Sequence, residues 1–212
     1  MVQKGVDPAR AVEHIVVLGV SLGAMRALPV LLMALPYELP APIVIVVHRK
    51  DNADDPLLVD WLRRNCRLPV EEAMDKTPMV PGHVYLAPSG YHLLVEDDHF
   101  ALSTEAHVNF ARPSVDVLFE SATDYFKSNV IGIILTGAGR DGVNGMAHIK
   151  RQGGFTIVQE PETAEQPSMP AAALAVCNAD RVVPLEEIAT VLTTYFYNQI
   201  ISSPRSLLPI TV

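Results

Sequence analysis

Gly19-Val20-Ser21-Leu22-Gly23 has the G-x-S-x-G form of a nucleophile elbow and stands directly after an apolar, β-branched run. A serine between two glycines at a strand-to-helix turn can project its hydroxyl at a helix N-terminus, where backbone N–H groups and the helix dipole stabilise a developing oxyanion. Taken alone the pattern is weak, because a glycine-rich turn whose serine merely caps a helix looks the same. Strand, glycine-rich turn and helix also describe a dinucleotide-binding unit. Here Ser21 replaces the middle glycine of G-x-G-x-x-G, so a side chain obstructs the pyrophosphate approach. The second strand then ends in His48, Arg49 and Lys50, with no acid for a ribose. The hydrolytic reading is therefore preferred.

A serine nucleophile needs a base and an orienting acid. Among the seven histidines, His48 alone directly follows a buried strand; His14, His83, His92, His99, His107 and His148 start or interrupt polar or antiparallel segments. The third strand runs into Leu135-Thr136-Gly137-Ala138-Gly139-Arg140-Asp141-Gly142, a glycine-rich loop with a carboxylate near its end. Asp141 has an alternative role as cap of the helix that follows, Val143 to Arg151. Three strand-to-loop junctions nevertheless each deliver one member of a Ser, His, Asp set to the edge where open α/β sheets bind ligands. The chain order differs from the Ser, Asp, His order of the α/β-hydrolases, but triads recur on unrelated folds.

The elements that must position these residues follow from the apolar runs. Ile15 to Leu18, Ile43 to Val47, Val130 to Leu135 and Phe155 to Val158 read as buried strands. Asp55 before Pro56 reads as the N-cap of a helix through Trp61 and Arg64. Ser114 to Lys127 and Leu185 to Ile201 have helical spacing, while Pro29 is expected to kink or restart the helix after the elbow. Strands alternating with helices predict an α/β fold, a doubly wound, mostly parallel sheet with helices on both faces. Val84 to Ala87, His92 to Glu96 and Phe100 to Ser103 add an antiparallel β-hairpin turning at Asp97 and Asp98, expected to join that sheet. The organisation is a lead segment over 1–14, one domain over 15–201 and a tail over 202–212.

Composition narrows the function. Apolar residues make up 49% against 19% charged, which suits a packed core. No apolar run approaches the roughly 18 residues of a membrane span, and no secretory signal opens the chain, so a cytoplasmic location without membrane insertion is expected. Cys66 and Cys177 lie far apart without ligand neighbours, predicting neither a disulfide nor a metal site. A formal charge of −8 without a basic run disfavours nucleic acid.

Beyond the elbow, His48 and the loop from Leu135 to Gly142, the chain carries Pro81-Gly82-His83-Val84-Tyr85-Leu86-Ala87-Pro88, Arg112-Pro113-Ser114-Val115-Asp116 and Met169-Pro170. With these motifs in this order, it resembles the catalytic domain of the CheB family of chemotaxis methylesterases from Ile15 to about Ile188. The resemblance implies a catalytic triad of Ser21, His48 and Asp141, and an oxyanion held by backbone N–H groups near Leu22 and Ala138. It implies hydrolysis of glutamate γ-methyl esters on the cytoplasmic helices of methyl-accepting chemoreceptors, deamidation of glutamines in many members, and no cofactor. Leu22 stands where the family usually has threonine, Ala24 where it has glycine, and Ala138 where it has methionine. These departures motivate the competing expectation of a catalytically weak binding or adaptor module. No phosphorylatable receiver domain is encoded ahead of the first strand, so activity without phosphorylation is expected.

Overall fold

The computed structural model describes residues 12–48 and 56–202. Its strands are β1 (Ile15–Val20), β2 (Ile43–Val47), β3 (Val70–Glu72), β4 (Val84–Leu86), β5 (His92–Glu96), β6 (His99–Ser103), β7 (Val130–Ile134), β8 (Phe155–Gln159) and β9 (Arg181–Val183). Its α-helices are α1 (Ala24–Ala34), α2 (Pro56–Asn65), α3 (Val115–Phe126), α4 (Val143–Arg151), α5 (Ser168–Val176) and α6 (Leu185–Ser202). Seven strands form one sheet in the order β3-β4-β2-β1-β7-β8-β9, with every pairing parallel.

The doubly wound expectation is met because the central strands are apolar at every position, so each face needs its own cover. Val16, Leu18 and Val20 of β1, with Ile43, Ile45 and Val47 of β2, pack against α1, α2 and α6 through residues such as Leu28, Leu62 and Ile188. Ile15 and Val17, with Val44 and Val46, point the other way into α3, α4, α5 and the hairpin, meeting Phe119, Met146, Met169 and Phe100. The topological switch lies at β1, whose neighbours β2 and β7 belong to opposite directions of winding. Open α/β sheets place their ligand crevice at such a point.

The structure corrects several expectations. The β5–β6 hairpin forms a separate two-stranded sheet and does not extend the large one, while Val84–Leu86 joins the parallel sheet instead. Alternation marks a strand but does not say which sheet it joins. Strands β3 and β9 escape the sequence reading because three residues are too few to show a period. Helix α5 escapes it because Ser-Met-Pro-Ala-Ala-Ala-Leu-Ala-Val has no polar stripe. Helix α1 runs as one element through Pro29 without restarting. Helix α2 begins at Pro56; its expected cap Asp55 lies outside the described residues, as do 1–11 of the lead segment and 203–212 of the tail. Cys66 and Cys177 are free thiols, and burial pushes that of Cys66 up to about 11.

Candidate active site

Strand register brings the sequence-predicted residues together. Val20 pairs with Val47, and the His48 N–H continues the ladder to the Val20 carbonyl at 3.1 Å, so Ser21 and His48 leave adjacent strands side by side. On the other side of β1, the Ser21 N–H donates to the Thr136 carbonyl at 3.0 Å, which sets the Thr136–Gly142 loop beside the serine. Continuing the alternation of each strand places Ser21 and His48 on the face covered by α3. Asp141 meets them there: His48 Nε2 lies 2.7 Å from Asp141 Oδ2, with the imidazole 18% exposed and the carboxylate 2% exposed.

The Asp141 carboxylate is held from many sides. Its Oδ2 also accepts the Val115 N–H at 2.7 Å, and its Oδ1 accepts Ser114 Oγ–H at 2.8 Å, Asn109 Nδ2–H at 3.0 Å and the Asp116 N–H at 3.2 Å. Two of these donors are the first backbone amides of α3, so Asp141 caps α3, not α4, whose own N-cap is Gly142. Burial pushes the Asp141 carboxyl up, but the hydrogen bonds from His48, Asn109, Val115 and Ser114 outweigh it and leave its pKa below the ordinary carboxylate value. An ionised Asp141 only accepts, so His48 Nε2–H donates to it, and in a neutral imidazole Nδ1 is then the acceptor. No hydrogen bond joins Ser21 to His48 among the described residues.

Asp116 forms a second tier beneath. It is 2% exposed and accepts Gly145 N–H at 2.7 Å and Asn109 Nδ2–H at 2.7 Å, so one amide group bridges both buried carboxylates. Burial, and then the charge of Asp141, raise its pKa against the pull of Gly145 and Asn109.

The elbow differs in detail from its sequence reading. Only Gly23 uses a left-handed backbone, at φ 91°. Gly19 instead makes room, because a Cβ there would lie 2.5 Å from Val115 Cγ1 on α3. The Ser21 carbonyl accepts the Ala24 N–H at 3.2 Å and the Leu22 carbonyl accepts Thr136 Oγ1–H at 2.9 Å, which fixes both peptide planes around Leu22. No acceptor engages the N–H of Leu22 or of Ala138 among the described residues, while Gly137 between them and the sheet donates to Gln166 O at 2.9 Å.

A cavity of about 260 Å³ opens between His48, Asp141, the Ala138–Arg140 loop and the Asn109–Pro113 segment. Sequence gives no role to Asn109, Thr136 or Asp116, which the structure places around the triad. Asn109 is a polar loop residue with no spacing to the triad that singles it out, while Thr136 and Asp116 lie within the glycine-rich loop and the Arg112–Asp116 motif without a signal of their roles. Among the described residues no cluster of His, Cys, Asp or Glu is placed to hold a metal ion, and no helix is long and apolar enough to cross a membrane.

A parallel sheet with serine, histidine and carboxylate at the carboxyl ends of three neighbouring strands is the ground plan of a serine hydrolase on an α/β fold. The chain belongs to the CheB methylesterase family, whose model matches residues 16–192. It is 43% identical over 178 residues to a Leptospira interrogans protein provisionally named a protein-glutamate methylesterase/protein-glutamine glutaminase, covering 82% of this chain and 90% of that one. It is 41% identical over 186 residues to the protein-glutamate methylesterase/protein-glutamine glutaminase 2 of Anaeromyxobacter dehalogenans, of which it spans 54%. The crystal structure of the Thermotoga maritima CheB methylesterase catalytic domain superposes with a TM-score of 0.82 at 35% identity, covering 86% of this chain and 98% of that domain.

Proposed function

We propose that this chain hydrolyses glutamate γ-methyl esters, and by the same route glutamine side-chain amides, on the cytoplasmic helices of a methyl-accepting chemoreceptor, acting in the cytoplasm. The observation that carries the reading is the convergence of Ser21, His48 and Asp141 at one sheet edge, with His48 and Asp141 2.7 Å apart. In this mechanism Ser21 Oγ attacks the γ-carbonyl carbon as its proton passes to His48 Nδ1, and Asp141 stabilises the imidazolium through Nε2–H. The oxyanion accepts the Leu22 and Ala138 N–H groups. When the tetrahedral adduct collapses, the proton moves from His48 to the departing methoxide oxygen and methanol leaves. Water, deprotonated by His48, then attacks the acyl-serine, and the glutamate carboxylate is released as Ser21 regains its proton.

Methanol release from methylated receptor membranes is expected from the wild type and absent from Ser21→Ala; equal release by both would overturn the assignment. The second reading, a weak hydrolase serving as an adaptor, draws on the 58% exposed Leu22 beside the nucleophile and on the missing Ser21–His48 bond. Catalytic hydrogen bonds often tighten only with substrate bound, which favours the active reading. A fluorophosphonate probe separates the two, since labelling that depends on both Ser21 and His48 requires an activated serine.

A further inference from the structure

Asn109 and Phe110 are the two central residues of a tight turn closed by Val108 N–H to Ala111 O at 3.1 Å and Ala111 N–H to Val108 O at 2.9 Å. Both have left-handed backbones, with φ 52° and 63°. Turns of this form favour asparagine followed by glycine. Asn109 obeys the rule and is anchored through Nδ2 to Asp116 and Asp141. Phe110 breaks it, because a bulky side chain is disfavoured at positive φ. Packing does not compensate, since Phe110 is 102% exposed. Neither local conformation nor the core accounts for an aromatic residue here. What the arrangement does provide is a large apolar surface on the lip of the cavity shared with His48 and Ala138, held in place by its neighbour's grip on Asp141.

We propose that Phe110 determines specificity for the protein substrate by packing on an apolar side chain one helical turn from the glutamate whose ester enters the cavity. This rests on the reading that the substrate is a receptor helix. Positions three and four apart share a helix face, so a side chain one turn from the ester is the one the lip can meet, and an apolar one would complement the ring. An aromatic ring buries roughly 150–250 Å² on contact, and a ring on an anchored turn loses little freedom in binding.

The test measures kcat and KM for methanol release from one methylated receptor membrane preparation with the wild type, Phe110→Gly and Phe110→Leu, together with their melting temperatures. Phe110→Gly is expected to melt higher, because glycine relieves the left-handed strain, while its KM rises about tenfold and kcat moves less than twofold, as for loss of an aromatic contact. Phe110→Leu should recover most of the KM. A purely structural role would instead lower the melting temperature and kcat together. Wild-type release matched in KM by Phe110→Gly overturns this inference alone; no release by the wild type overturns the substrate reading and this inference with it.

Discussion

Ser21 and His48 leave neighbouring strands side by side, and in the proposed mechanism they act as one proton-transfer unit, so their losses are expected not to add. Ser21→Ala and His48→Ala should each lower kcat by on the order of 10⁴-fold or more, with the double variant little worse, as steady-state methanol release would show. Multiplying losses would mean that the two act separately. The buried carboxylates behind them have opposite effects on stability. Asp141, with its pKa lowered, contributes stability that is present above the unfolded value of about 3.9 and is lost as pH falls through its folded value. Asp116, with its pKa raised, contributes stability that is present below about 3.9 and is lost as pH rises through its folded value. The two act in adjoining windows, Asp141 below about pH 3.9 and Asp116 above it. Asp116→Asn is therefore expected to remove a loss of urea stability as pH rises above about 4 while leaving the fall below about 4, which belongs to Asp141, in place; an unchanged profile above pH about 4 would count against the raised Asp116.

At the scale of elements, the site depends on how closely the Thr136–Gly142 loop approaches the elbow. A Cβ on Gly137 would overlap Met169 Sδ and lie 2.8 Å from Ser21 Cβ and 3.2 Å from Ser21 N. Gly137→Ala should displace the nucleophile and lower kcat by roughly 10²-fold. Stability should fall by about 1–3 kcal/mol in chemical denaturation. Adding Met169→Ala should recover stability but not kcat, because the clash with Ser21 remains. The strands that end at Ser21, His48 and the glycine-rich loop were legible in sequence, since runs this short, rich in β-branched residues and flanked by Gly, Pro or charge, read as buried strands. The role of Asp141 as cap of α3 was not, because its partners Ser114, Val115 and Asp116 lie 25–27 residues earlier in the chain. Nor was the Asn109–Phe110 turn, which lacks the glycine that normally announces it.

For the molecule as a whole, the sheet separates chemistry from stability along its strands. His14 sits before β1 and Ser21 after it, roughly 23 Å apart at about 3.3 Å per residue. His14 packs edge-on to Tyr195 and Phe196 of α6, with ring centroids 6.2 and 5.8 Å away. Burial, against a weaker pull from the Asn129 backbone, lowers its pKa. A histidine of this kind contributes stability that is present above the unfolded value of about 6.5 and is lost as pH falls through its folded value. His14→Phe is expected to flatten thermal stability between pH about 7 and 5 while leaving kcat and KM for methanol release unaltered. A changed KM would show that the two edges communicate. The continuous apolar runs of β1 and β2 made a core on both faces of the sheet readable, whereas the detachment of the β5–β6 hairpin depended on packing against α3 that no local pattern encodes.

The grip of Asp141 on the N-terminus of α3 bears on how relatives of this chain drift. An aspartate that ties down a helix is under selection for folding as well as for turnover, whereas the Ser21 hydroxyl has no hydrogen-bond partner among the described residues and can vanish without loosening the fold. A lineage that abandoned hydrolysis would therefore shed the serine early and keep the aspartate long afterwards. Retention of the acid is weak testimony to a living enzyme, and retention of the serine is much stronger.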